Sequence, residues 1–113
     1  MPTLPEIAEQ TLAAALAAEN GRHAELMIHD GPLRQTVLAL RAGTRLADHN
    51  APPAASLQVL SGTVRVTSHE DVEASAGELL VLTHERHGVE ALTDAAFLLT
   101  TVTSVPGIES HGE

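Results

Sequence analysis

Cysteine, lysine, tryptophan and tyrosine are absent from this 113-residue chain, and Phe97 is its single aromatic. Without cysteine there is no disulfide, no thiolate ligand and no thiol nucleophile, and no redox compartment can be inferred. Hydrophobic residues make up 43% of the chain, but many are alanine, so a core must be built from Leu, Val and Ile. Positive charge is scarce: the six bases, all Arg, face 15 acids, for a net charge of −9. That balance excludes nucleic acid and anionic membrane as partners, since both call for concentrated cationic charge. Protonating all seven His would bring the charge to −2 (−9 + 7), so solubility is expected to fall on mild acidification. Long apolar runs are lacking too. Purely apolar runs such as residues 79–82 are far too short to span a bilayer. The N-terminus has no basic region followed by a hydrophobic stretch, so no secretory signal is expected and a cytoplasmic protein is the default.

The length allows one domain with one modest core. Thr3 is placed to cap a helix, with Glu6 three residues on and Pro5 in the first turn. Ile7, Thr11, Leu12, Ala15 and Leu16 recur at helical spacing, Ala8 and Ala18 fill the stripe, and Asn20-Gly21 ends it. An Ala-rich stripe lets the helix approach a sheet or another subunit closely. The expectation is a helix over one open end of a barrel, with a protein-binding helix as the alternative. Short strands follow between Gly and Pro turns: 24–29, 33–41, 45–49, 54–60, 63–67, 72–74, 79–82, 87–91 and 96–102. The strand at 33–41 is apolar on both sides and should be buried on both faces, and 79–82 also reads as buried. Residues 106–113 read as a frayed tail.

The segment GTRLADHNAPPAASLQVLSG, residues 43–62, is strand, turn, strand, and with GELLVLTHERHGVEAL, residues 77–92, it resembles the two motifs of the small RmlC-like cupins. Their first motif runs G-x5-H-x-H-x3-E-x6-G, and Gly43, His49 and Gly62 fall on it. Ala51 and Ala55 hold the places of the second His and the Glu. In the second motif, G-x5-P-x-G-x2-H-x3-N, Gly77 fits, Thr83 replaces Pro, and His87 comes one residue early. The resemblance covers residues 33 to 103. It implies an all-β fold: a double-stranded β-helix, or jelly-roll barrel, at residues 22–105, carrying one N-terminal helix at 1–21. It also implies a homodimer, since cupins commonly pair.

In that family the motif residues hold a divalent transition metal inside the barrel. His49 and His87 are the candidate ligands here, for Zn, Fe, Mn or Ni, and the other two positions carry methyl groups. Zinc needs at least three protein ligands, and the non-haem iron arrangement needs two His and a carboxylate. Asp48 and Glu90 each lie an odd number of residues from the His of their own strand, so both should face away; Glu25 cannot be placed from sequence. No cofactor is therefore assigned. The expected pocket is apolar, lined by Leu57 and Val59 on the Ala55 face, with Leu79 and Val81 or Leu80 and Leu82 opposite, and rimmed by His49 and His87. It suits a small, mostly hydrophobic ligand with one polar handle. Imidazole acid–base chemistry at His49 or His87 stays open, so the chain is either a binding protein or an enzyme of the oxygenase or isomerase class. His84-Glu85-Arg86-His87 does not make a metalloprotease helix, because its two His are three apart, not four, in a loop entering a strand. No Ser lies in a Gly-x-Ser-x-Gly elbow and no Gly-rich loop opens a helix. His23, His29, His69 and His111 read as solvated.

Overall fold

The structure is a computed structural model that describes residues 2–49, with 48 and 49 by backbone position, then 54–82 and 86–103. The expected turn at 50–53, Ala51, the loop at 83–85 and the tail lie outside the described residues. One helix, α1 (Leu4–Ala17), precedes nine strands: β1 (Arg22–Asp30), β2 (Leu33–Leu40), β3 (Arg45–His49), β4 (Ala54–Ser61), β5 (Thr63–Thr67), β6 (Val72–Ser75), β7 (Leu79–Val81), β8 (His87–Ala91) and β9 (Ala95–Val102). They form two antiparallel sheets, a five-stranded one in the order β1-β2-β9-β4-β7 and a four-stranded one in the order β3-β8-β5-β6.

The strands alternate, and the alternation decides which side chains meet. Leu40, Leu57, Val59, Ala95 and Phe97 of the larger sheet pack against Val64, Val66, Ala74, Val89 and Ala91 of the smaller, with Leu82 completing the cluster. This is the jelly-roll interior. The outward face of the smaller sheet carries charge instead. Arg45, Glu90, Arg65 and Glu73 stand in one cross-strand row. Arg65 donates to Glu73 at 3.0 Å and to Glu90 at 3.4 Å. The hydrogen bond to Glu73 above all, with the neighbouring carboxylates, raises the pKa of its guanidinium further.

The helix starts where the capping box predicts: the Thr3 hydroxyl accepts from the Glu6 amide, and the Glu6 carboxylate accepts from the Thr3 amide. It does not cover an open end of the barrel. Ala8 and Ala15 pack with Ala39 and Ala96, flanked by Leu12 and Leu60. Ala39 and Ala96 are Cα partners on β2 and β9, and their strand neighbours Leu40, Ala95 and Phe97 point into the interior. The helix therefore lies across the outer face of the five-stranded sheet. Alanine on alanine is what permits the close approach, and it explains why β2 is buried on both faces along its second half. Leu16, assigned to the buried stripe from its spacing, is exposed.

Arg41, just past β2, reaches back to the other end of the helix. Its guanidinium donates to the carbonyls of Ala18 (3.3 Å) and Glu19 (3.5 Å), and its amide donates to the carbonyl of Gly21 (2.7 Å). A cation on the terminal carbonyls opposes the negative end of the helix dipole. Arg41→Ala is expected to lower stability by about 1 kcal/mol, read as a small drop in denaturation midpoint with an unchanged slope.

The expectation of a buried strand at 79–82 is corrected. β7 is an edge strand; Leu79 and Val81 are 66% and 80% exposed, and only Leu80 and Leu82 turn toward the core. Among the described residues the helix packs mainly on β2 and β1, with less on β9 and β4, and leaves the outer face of β7 exposed.

Candidate functional site

β3 and β8 bring the two motif histidines to one place. His49 and His87 are Cα partners, and Leu46 is the partner of Val89. Three steps along β3 thus match two along β8, so a bulge absorbs the extra residue. The register explains how a second motif one residue short still places its histidine opposite the first. His87 is 2% exposed and shares the inward face of β8 with Val89 and Ala91. No buried side-chain nitrogen or oxygen among the described residues lacks a hydrogen-bond partner.

The other expected site residues fall as follows. Leu57 and Val59 face inward and are fully buried, packed into the central cluster with Phe97. Ala55 is half-buried against the same cluster, so a methyl group stands where the family's motif has a carboxylate. Glu90 is turned outward and paired with Arg65. Glu25 lies outside the barrel, beside the helix, accepting from the His23 ring at 2.7 Å. Among the described residues no group of three or more His, Asp or Glu is arranged to hold a metal ion. His87 is the one described ligating side chain within the interior, against the three that a tight zinc or iron site needs. The described residues do not by themselves fit such an ion.

A cavity of about 210 Å³ is lined by Val66, Ser68, Glu70, Val72, Leu80, Val81 and Leu82, with His87 not among them. It opens where the β5–β6 turn faces the edge strand β7. Thr67 is the Cα partner of Gly88, which puts Ser68 and His87 at neighbouring positions at the same end of the barrel. The turn is tied by its own side chains: the Ser68 amide donates to the Asp71 carboxylate at 3.2 Å, and the Ser68 hydroxyl to the Glu70 carbonyl at 3.1 Å. Strand parity leaves Leu79 with Val81 or Leu80 with Leu82; Leu80, Val81 and Leu82 line the cavity, whereas Leu57 and Val59 do not. Val66, Ser68 and Val72 were missed, although the alternation of T-V-R-V-T continues through the turn and marks them.

No protein-family model and no curated protein matches the sequence. Solved structures do resemble it. A cupin superfamily protein from Desulfitobacterium hafniense DCB-2 superimposes with a TM-score of 0.75 at 12% identity, over 92% of this chain and 95% of that one. An RmlC-like cupin from Desulfovibrio desulfuricans does so at 0.65 and 24%, over 72% and 81%. Salicylate 1,2-dioxygenase from Pseudaminobacter salicylatoxidans does so at 0.73 and 20%, over 86% of this chain but 33% of the longer enzyme. No helix among the described residues is long and apolar enough to cross a membrane. Two facing antiparallel sheets, the helix on the outside and these likenesses together make the fold that of a small RmlC-like cupin.

Proposed function

We propose that this chain is a cytoplasmic cupin-fold protein that holds a small, largely apolar molecule at the mouth of its barrel, without a tightly bound metal. The observation that carries the reading is the cavity between β7 and the β5–β6 turn. Five of its seven lining residues are Val or Leu, and Ser68 and Glu70 supply the polar handle. Its volume of about 210 Å³ exceeds the ~150 Å³ that accommodates benzene and falls short of the ~300 Å³ at which drug-sized sites begin. The fitting ligand is therefore a single ring or a short branched chain with one polar group. His87 stands at the same end of the barrel, next to the position of Ser68, and is the candidate imidazole for orienting that group.

The test is a thermal-shift and ligand-detected NMR screen of single-ring and short aliphatic compounds, on untagged protein and on Leu80→Trp, whose larger side chain fills the cavity. Binding by the wild type, weakened at least about tenfold in Leu80→Trp while the far-ultraviolet melt persists, supports the reading. A wild type that binds none of them below about 1 mM ends it.

A second reading is a cupin-type enzyme of the oxygenase or isomerase class, with His49 and His87 as metal ligands or acid–base groups. The His49–His87 register favours it, as does the likeness to a dioxygenase. Its signature is stoichiometric uptake of Fe, Mn, Zn or Ni by untagged protein that is lost in His87→Ala, or a pH–rate profile with an imidazole limb.

A further inference from the structure

The cavity takes its walls from β7 and β6, the edge strands of the two sheets. It is graded from floor to rim. Val66 and Leu82 are buried and belong to the central cluster, whereas Val72, Val81 and Glu70 are exposed. An apolar body is favoured at the floor, and a polar group belongs at the rim, beside water.

The polar side chains of the lining offer acceptors. The Ser68 hydroxyl directs its hydrogen to the Glu70 carbonyl at 3.1 Å, and the Ser68 amide donates to the Asp71 carboxylate at 3.2 Å. Ser68 is left with oxygen lone pairs, and a carboxylate only accepts. Among the described residues no hydrogen bond or ion pair engages the Glu70 carboxylate. The neighbouring cations are occupied elsewhere. Arg65 is held by Glu73 and Glu90 on the outward face of its sheet. Arg45 reaches the Thr67 hydroxyl at 3.3 Å. Arg86 and His87 each have an interaction of their own, and His69 is exposed. None of them lines the cavity. An anion bound here would therefore meet Glu70 with nothing to offset it. A primary ammonium brings three donors and the complementary charge, and the net charge of −9 draws it in.

We infer that the molecule held in this cavity is a small apolar amine: a single ring or short branched chain, with its ammonium at the rim against the Glu70 carboxylate and the Ser68 hydroxyl oxygen. The inference rests on the cavity being a binding site, as proposed above, and adds the sign of the ligand's charge.

Benzylamine, benzyl alcohol and benzoate share a ring and a carbon count and differ in charge. Each is titrated into untagged protein by ligand-detected NMR, in phosphate buffer free of other amines. Benzylamine is expected to bind about fivefold more tightly than benzyl alcohol, the preference a solvent-exposed carboxylate supports. Benzoate binds more weakly than either. Raising NaCl to about 0.5 M shrinks the preference. Glu70→Gln keeps the backbone carbonyl that Ser68 needs, so it folds, and brings the amine-to-alcohol ratio to within about twofold. Glu73→Gln, on the outward row, leaves the ratio as in wild type. Benzyl alcohol or benzoate binding as tightly as benzylamine overturns the assignment of charge while the cavity stands as a site. So does an amine preference that survives Glu70→Gln, or that falls equally in Glu73→Gln, because the acidic surface at large then supplies the attraction. If none of the three binds below about 1 mM, the cavity and the charge assignment fall together.

Discussion

Gly62→Ala is expected to destabilise the fold by about 3 kcal/mol or more, whereas Gly31→Ala costs about 1–2 kcal/mol. Both glycines have positive φ, +76° and +56°, so each substitution carries the left-handed penalty of a Cβ. The difference lies in the surroundings. A Cβ at Gly31 meets nothing within 4 Å, whereas one at Gly62 runs into the Asp94 carbonyl, the Thr93 hydroxyl and the Ala95 Cα. These neighbours are held fast. The Thr63 amide donates to the Thr93 hydroxyl at 3.0 Å, the Leu92 amide to the Thr63 carbonyl at 3.0 Å, and the Ala76 amide to the Gly62 carbonyl at 3.1 Å. Three turns meet at Gly62, and none can retreat without breaking a backbone hydrogen bond. Against the 5–15 kcal/mol that separates folded from unfolded domains, the loss takes a large share. Urea denaturation followed by far-ultraviolet circular dichroism is the measurement, since the chain has no Trp or Tyr to report. Equal midpoints for the two variants would show that the crowding at Gly62 carries no energy.

The same glycine shows why the fold was legible from the sequence. It closes the first motif because the two turns must touch, and Ser61-Gly62 already reads as a tight turn. Strand alternation did most of the remaining work: Thr63–Thr67 and His87–Ala91 have the bounds that their pattern gave. What pattern could not give was the layer beyond each strand. Residues 79–82 are apolar at every position, which reads as burial on both sides, yet β7 lies at the sheet edge, aside from the main packing of the helix. The alanine stripe of α1 signals close approach but names no surface. Only the pairing of Ala39 with Ala96 identifies the outer face of the larger sheet. At the site, counting residues brought His49 and His87 into one barrel, but their direct register depends on a bulge in β3 that no residue type announces.

Phe97→Ala should cost still more, about 3–5 kcal/mol, while Phe97→Leu should cost under about 1.5 kcal/mol if the neighbours repack. Phe97 is fully buried at the middle of β9, with Leu38 and Val59 as its Cα partners on either side. Its ring belongs to the cluster that joins the two sheets. The rest of that cluster is Leu, Val and Ala, several of them small, so few long side chains are at hand to collapse into the space left behind. For a domain of this length each kcal/mol moves the melting temperature by about 3–5 °C, so Phe97→Ala is expected to melt about 10–20 °C below wild type. Its ligand binding carries a second lesson. The cavity at the barrel mouth is lined by Val66, Val72, Leu80, Val81 and Leu82 with Ser68 and Glu70, and does not include Phe97. Below the lowered melting point, Phe97→Ala should therefore keep whatever binding the wild type has, while Leu80→Trp loses it. A Phe97→Ala protein that melts within 3 °C of wild type would mean that the two sheets are held together elsewhere than at this ring.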